Sequence, residues 1–449
     1  MAEKKRENFS SKLGIIVATA GSALGLGNIY RFPCEAGANG GGAFLIVYLV
    51  IALLIGTPLM VSEFIIGRRS RSNPIGAFRL LGGKKKGWPI VGYLGVLCAF
   101  LILAFYTTVA GWTLGYLGKS AANHFAGQDL SQIQLQFMNF TNHPWLPIVC
   151  QFIFLALTAF VVARGVKDGI EKWSKILMPL LLVIMVVLCI NSLTLNGAKE
   201  GLRFFFHPDF SKLNGRVLIS ALGQAFFSLS IGMGALITYG SYIGQKDNMV
   251  SSAAGVVLAD TLVAVLAGII IFPAAFTFGI QPEAGASLAF TTLPMVFQQM
   301  TGGYFFCLIF FLLLVIATLT STISLLEVIV AATTEELKLS RPKAAIIGAV
   351  GTAIIGVLAT MSFRDGSPLH IGGRTVFDIL DHVTASYFMP LGGLLIVLFV
   401  GWRMKKADAL DELTNNGTLK SGLRKAILFI IRYLAPVAIA VIFISQLLA

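Results

Sequence analysis

The chain has 449 residues, 56% of them hydrophobic and 12% charged, with a mean hydropathy of +0.83. A soluble globular protein of this length is excluded, because apolar runs long enough to cross a bilayer recur along the whole chain. The formal charge of +13 does not point to nucleic acid, since the basic residues sit in short clusters between apolar runs, as membrane topology requires.

Apolar segments of about 20 residues fall at 13–37, 42–67, 90–118, 146–163, 170–190, 217–240, 250–279, 302–334, 343–361, 375–401 and 424–447, which predicts an all-α membrane protein with eleven spans. The first run follows the charged stretch MAEKKRENFSSK and has no small-residue cleavage site after it, so it is expected to stay in the protein. The clusters KKR at 4–6, RRSR at 68–71, KKK at 84–86, RGVKDGIEKWSK at 164–175, KLSRPK at 338–343 and WRMKK at 402–406 all fall on one side. By the positive-inside rule that side is cytoplasmic, which places the N-terminus inside and, with an odd count, the C-terminus outside. The cysteines Cys34, Cys98, Cys150, Cys189 and Cys307 all lie in apolar stretches and read as buried thiols.

Two spans are interrupted. The first carries GSALGLGNIYRFP at 21–33, and the sixth carries QAFFSLSIGMGALITYGSY from Gln224 to Tyr242. Glycine breaks in matching places of two five-span halves, 12–190 and 217–401, point to a transporter's binding site, with 424–447 as an added helix and 1–449 one transporter domain. A broken helix leaves amides and carbonyls without intrahelical partners, tolerable in a membrane only where they line a cavity or hold a ligand. Gly21 and Gly25 alone also fit a GxxxG packing stripe.

With these motifs, NGGGAFLIVY at 39–48 and LTSTISLLE at 319–327, the sequence resembles the neurotransmitter:sodium symporter family, in particular its bacterial LeuT-like amino-acid transporters. The resemblance implies a LeuT-like five-plus-five inverted repeat, with helices 1 and 6 unwound at the midplane, in a bacterial inner membrane. It implies two sodium ions. The first would meet the Ala23 carbonyl, the Asn28 side-chain oxygen and Ser228. The second would meet the carbonyls of Gly21, Leu24 and Ala317 and the hydroxyls of Thr320 and Ser321; read without the resemblance, those two hydroxyls would bond back to their own helix.

Asp260, in LADTLVAVLAG, is an intramembrane carboxylate and so a functional candidate by default. By the resemblance it is expected to ligate or neighbour the first sodium in place of chloride.

The resemblance also implies a substrate site. A zwitterion's carboxylate would meet the amides near Gly25 and Gly27 and the Tyr106 hydroxyl. Its amine would meet carbonyls near Ala23 and Phe227 and the Ser230 hydroxyl. The side-chain pocket would be Ile102, Phe227, Met233, Ser321 and Leu325, mostly apolar, so a neutral hydrophobic L-amino acid such as tryptophan or leucine is expected. Met233 fits either an adaptable pocket wall or plain core filling. An outer gate would pair Arg31 with Asp381 above Gln224 and the Tyr106–Phe227 pair; Arg31 alone could also snorkel. An inner gate would join Arg6 to Glu335, near Tyr239 and Tyr242. Glu63 is expected to bond backbone near a break.

These features favour sodium-coupled symport over two rivals. A sodium-permeable channel or an uncoupled amino-acid receptor would have no use for gates at both ends. An enzyme is disfavoured because His124, His143, His207, His370 and His382 form no cluster within a span.

Overall fold

A computed structural model describes residues 7–83, 87–279, 288–300, 302–415, 417–418 and 422–448. The basic clusters at 4–6 and 84–86, and with them Arg6, lie outside the described residues.

Among the described residues, nine helices are long and apolar enough to cross a membrane: Gly42–Ser70, Pro89–Ala121, Leu146–Ala163, Val166–Ser192, Met249–Phe278, Gly303–Glu336, Arg341–Met361, Val376–Arg403 and Arg424–Ser445. They are spans two to five and seven to eleven. The first span is a helix pair, Lys12–Ala23 and Gly27–Ala38, bent by 60°. The sixth is also a pair, Gly215–Ser228 and Ala235–Gly240. Neither of its pieces reaches spanning length, so hydropathy sees one span where the backbone has two short helices.

The breaks have local causes. In the first span Leu24 leaves the helical region, with ψ of 88°, and the helix resumes at Gly27. In the sixth span Ser230, Gly232 and Gly234 take φ of 55°, 87° and 76°. Only glycine reaches that region without steric cost. A Cβ on Gly232 would stand 2.2 Å from the Met389 carbonyl oxygen of span ten. Gly232→Ala therefore meets both φ strain, of about 1–3 kcal/mol, and a clash with backbone that no rotamer relieves. Its expected outcome is a strongly reduced yield of monodisperse protein by fluorescence-detected size exclusion; a wild-type profile would contradict it.

Spans three and eight, of 33 and 34 residues, form the long central pair. At 1.5 Å per residue each is about 50 Å long, well beyond a hydrocarbon core of about 30 Å. The first half of span one packs against spans five, seven and eight, which puts its break in the middle of the bundle. Span five begins at Val166, inside the basic stretch expected as a loop, where the N-terminal segment packs on it: Glu7 accepts the Val166 N–H at 2.7 Å and Glu171 accepts the Ser10 N–H at 2.8 Å.

Among the described residues, five short α-helices lie between spans: Pro74–Leu81, Leu130–Asn142, Ala198–Phe206, Leu293–Gln298 and Lys406–Thr414. A small hairpin pairs His370–Ile371 with Arg374–Thr375.

Candidate functional site

The two breaks bond to each other. Ser230 Oγ donates to the Ser22 carbonyl at 2.9 Å, and Gln224 Nε2 donates to the Gly27 carbonyl at 2.8 Å. The Tyr106 hydroxyl of span three accepts the Leu26 N–H at 3.1 Å, and Glu63 Oε1 of span two accepts the Gly232 N–H at 2.8 Å. Each interruption thus finds side-chain partners for backbone groups that a membrane interior would leave costly. Glu63 occupies the role expected of it, bonding backbone at a break, and its partner is now identified.

All ten expected pocket residues line one cavity: Ala23, Gly25, Gly27, Ile102, Tyr106, Phe227, Ser230, Met233, Ser321 and Leu325. Ser22, Ser228 and Met389 join them, and no charged side chain is present in the lining. The cavity is small, about 30 Å³. Crowding at Gly25 shows how tight it is: a Cβ there would lie 2.5 Å from Ser321 Oγ and 2.7 Å from the Tyr106 hydroxyl.

Beside the pocket, Asp260 is completely buried and collects three donors. Oδ1 accepts from Asn28 Nδ2 at 2.8 Å and Ser228 Oγ at 2.7 Å, and Oδ2 accepts from the Tyr48 hydroxyl at 2.7 Å. Asn28, Ser228 and Asp260 therefore converge within hydrogen-bond distance of one another. The Asn28 amide nitrogen, not its oxygen, faces Ser228 and Asp260, while Oδ1 faces the Gly25 N–H at 3.4 Å. A carboxylate is acceptor-only, so it calls for a donor.

The other oxygen cluster joins spans one and eight. Gly21 and Ala23 belong to the last turn of the helix Lys12–Ala23, whose terminal carbonyls lack the next turn's amides. A Cβ on Gly21 would lie 3.3 Å from Thr320 Cβ, so the backbone there touches span eight. Thr320 Oγ1 donates to the Ala317 carbonyl at 3.0 Å, the back-bonding that its sequence context suggested. That bond uses the hydroxyl hydrogen and leaves oxygen lone pairs for another partner.

Outside the pocket lies a second cavity, of about 290 Å³, bordered by Arg31 and Asp381 and floored by Tyr106 and Phe227. These two rings line both cavities, so they form the partition between them. Arg31 and Asp381 face the same space, but they do not form the expected ion pair within 4.0 Å. The Arg31 guanidinium instead stacks 4.2 Å above the Phe227 ring, a cation–π contact that competes for it.

The inner end is packed. Phe9 meets Tyr239 and Tyr242 edge-on, each at 5.9 Å. Glu335 Oε2 accepts from Ser72 Oγ, the Asn73 N–H and Asn73 Nδ2 at 2.8–2.9 Å. Glu327, the last residue of LTSTISLLE, pairs with Arg341 and accepts from the Tyr242 hydroxyl. Sequence reasoning passed over Glu327, Tyr48 and Met389. A carboxylate in an apolar run was the available signal for Glu327, whereas nothing local marks Tyr48 or Met389.

Comparison with known proteins agrees with this geometry. The model of the sodium:neurotransmitter symporter family matches residues 6–136 and 119–449. The sodium-dependent transporter YhdH of Bacillus subtilis, itself uncharacterized, is 39% identical over 445 residues, covering 99% of this chain and 98% of its own. The mouse sodium-dependent neutral amino acid transporter B(0)AT2 is 28% identical over 302 residues, 60% of this chain and 41% of its own. Among solved structures, MhsT in complex with L-phenylalanine superposes with a TM-score of 0.91 at 44% identity, over 98% of this chain and 100% of that one. The expected LeuT-like fold is the observed one. The chain belongs to the sodium:neurotransmitter symporter family, and is a multi-pass membrane protein that carries out sodium-coupled transport rather than catalysis.

Proposed function

We propose that this protein imports neutral hydrophobic L-amino acids together with two sodium ions, without need of chloride. The observation that carries the substrate class is the pocket lining. Ile102, Phe227, Met233, Leu325 and Met389 are apolar, and no charged side chain is there to pair with a basic or acidic substrate. The relative solved with L-phenylalanine supports the same class. The substrate's carboxylate is placed toward Gly25, Gly27 and Tyr106, and its amine toward Ser230 and the end of the helix at Ala23.

The first sodium is assigned to Ala23, Asn28, Ser228 and Asp260. Binding there requires the Asn28 amide to turn so that its oxygen faces inward, because a hard cation takes oxygen ligands. Asp260 supplies the negative charge that an anion would otherwise bring. The second sodium is assigned to Gly21, Leu24, Ala317, Thr320 and Ser321. The gates are Arg31 and Asp381 with Gln224 outside, and Glu335, with Arg6 as its proposed partner, inside. The orientation follows the basic loops, with the N-terminus in the cytoplasm and the C-terminus outside a bacterial inner membrane.

The driving force suffices. One charge crossing about 100 mV yields about 2.3 kcal/mol, and a tenfold gradient adds about 1.4 kcal/mol. Two ions supply about 7 kcal/mol, or about five decades of accumulation.

Uptake of labelled tryptophan, leucine and phenylalanine into proteoliposomes tests this, with an imposed sodium gradient in chloride or gluconate. Accumulation that needs sodium and ignores the anion is the expected result. Wild-type uptake that requires chloride would remove the role given to Asp260, and failure with all three amino acids would remove the substrate class.

A further inference from the structure

A cavity of about 570 Å³ lies between the inner end of span ten, the helix Lys406–Thr414 and the start of span eleven. It shares no lining residue with the transport pocket or the outer vestibule. Its volume falls within the range of about 300–1,000 Å³ typical of small-molecule sites.

Lys406, Arg424, Lys425 and Arg432 line it. Among the described residues none of these cations has a carboxylate within 4.0 Å. The acidic residues of the adjoining helix are committed elsewhere or set apart. Asp408 pairs with Arg69 at 2.6 Å, Glu412 pairs with Arg68 at 2.6 Å, and Asp411 is not part of the lining. Arg432 lies 4.6 Å above the Trp402 ring, and its Nε is buried without a hydrogen-bond partner. The charge of this cavity is therefore positive and unneutralised, and one guanidinium holds an unused donor.

Its surroundings are those of a membrane interface. Trp402, Phe429 and Tyr433 stay 56%, 61% and 48% exposed, as aromatic rings do at headgroup level. From there Val437, Val441 and Ile444 continue as an exposed apolar stripe along span eleven. Cations at the mouth, aromatic rings at the rim and an apolar track leading away match an amphiphile with an anionic head.

We propose that this cavity binds the headgroup of an anionic phospholipid of the cytoplasmic leaflet. Arg424 and Arg432 hold the phosphate with charge-assisted hydrogen bonds, Lys406 and Lys425 add charge, and the acyl chains lie along the stripe on span eleven. The leaflet rests on the orientation proposed above, whereas binding itself is independent of orientation and of transport.

The test uses the full chain, delipidated in detergent and titrated with dioleoylphosphatidylglycerol, dioleoylphosphatidylcholine or inorganic phosphate. Bound lipid is counted by native mass spectrometry and the melting temperature is followed in parallel. Phosphatidylglycerol is expected to be retained as one molecule per chain, at concentrations at least tenfold below those needed for phosphatidylcholine. The triple variant K406Q/R424Q/K425Q, at exposed positions, is expected to melt like the wild type in phosphatidylcholine and to lose the preference; Arg432→Gln is expected to lose it independently. Equal retention of both lipids would overturn the proposal. So would a triple variant that keeps the preference, or inorganic phosphate matching the thermal shift given by phosphatidylglycerol.

Discussion

Asp260→Asn is expected to raise the sodium concentration needed for half-maximal uptake by at least about tenfold, a loss of about 1.4 kcal/mol. The carboxylate has no exposure and accepts from Asn28, Ser228 and Tyr48. An amide offers one acceptor oxygen where the carboxylate offers two, so one of these donors would face an N–H group. A buried donor left without an acceptor costs about 1–3 kcal/mol. The larger effect is on charge, since a cation between Asn28 and Ser228 would no longer have an anion beside it. Chloride is expected to restore part of the variant's activity by taking that position. Sodium titrations of uptake, in chloride and in gluconate, check this; a variant curve that overlays the wild type would rule out the role of Asp260.

Arg341→Met is expected to be among the most destabilising single substitutions outside the pocket. Glu327 has a fully buried side chain and Arg341 one that is 23% exposed, so removing the arginine strands a carboxylate inside the protein. Arg341 Nε also donates to the Val162 carbonyl at 2.8 Å, which ties span nine to span four. Breaking a buried pair from one side costs about 3–5 kcal/mol, while replacing both partners by apolar or neutral groups costs far less. The expected signature is a melting temperature several degrees below wild type for Arg341→Met, with more than half recovered in E327Q/R341M. Thermal unfolding of the three proteins in one detergent decides it. A double variant no better than the single would show that the stranded charge is not the cause.

The legible parts of this protein were those whose physics is local. A span announces itself by continuous hydrophobicity, and Leu146–Ala163 coincides with the expected 146–163. Gly232 and Gly234 announce the sixth-span break because few other residues tolerate their backbone angles, whereas Gly25 at the first break is required for space beside Ser321 and Tyr106. Ser230 does not, although its φ of 55° makes it as much a part of the sixth-span break as Gly232. The short helices between spans escaped because their polar and apolar residues alternate around the helix, so a window average cancels. Ala198–Phe206 is such a case, with Gly201 and Phe205 buried on one face.

Partnerships across the bundle were the least legible. Tyr48 reaches Asp260 over 212 positions of sequence, and no spacing rule encodes that distance. Arg31 and Asp381 were expected to pair because the family resemblance implies an outer gate there. Sequence alone gives no sign that an aromatic ring lies 4.2 Å from the guanidinium and competes for it.

The cross-bonds between the breaks have a consequence for how the protein tolerates heritable change. Both acceptors, at Ser22 and Gly27, are main-chain carbonyls, while both donors, Ser230 and Gln224, are side chains of the sixth span. No replacement of a side chain at position 22 or 27 deletes an acceptor, because every residue carries that carbonyl. A single codon change at 224 or 230 deletes a donor outright. These two fastenings are thus mutable from the sixth span only, whereas the third, from Asn28 Nδ2 to Ser228 Oγ, is open to substitution from either span.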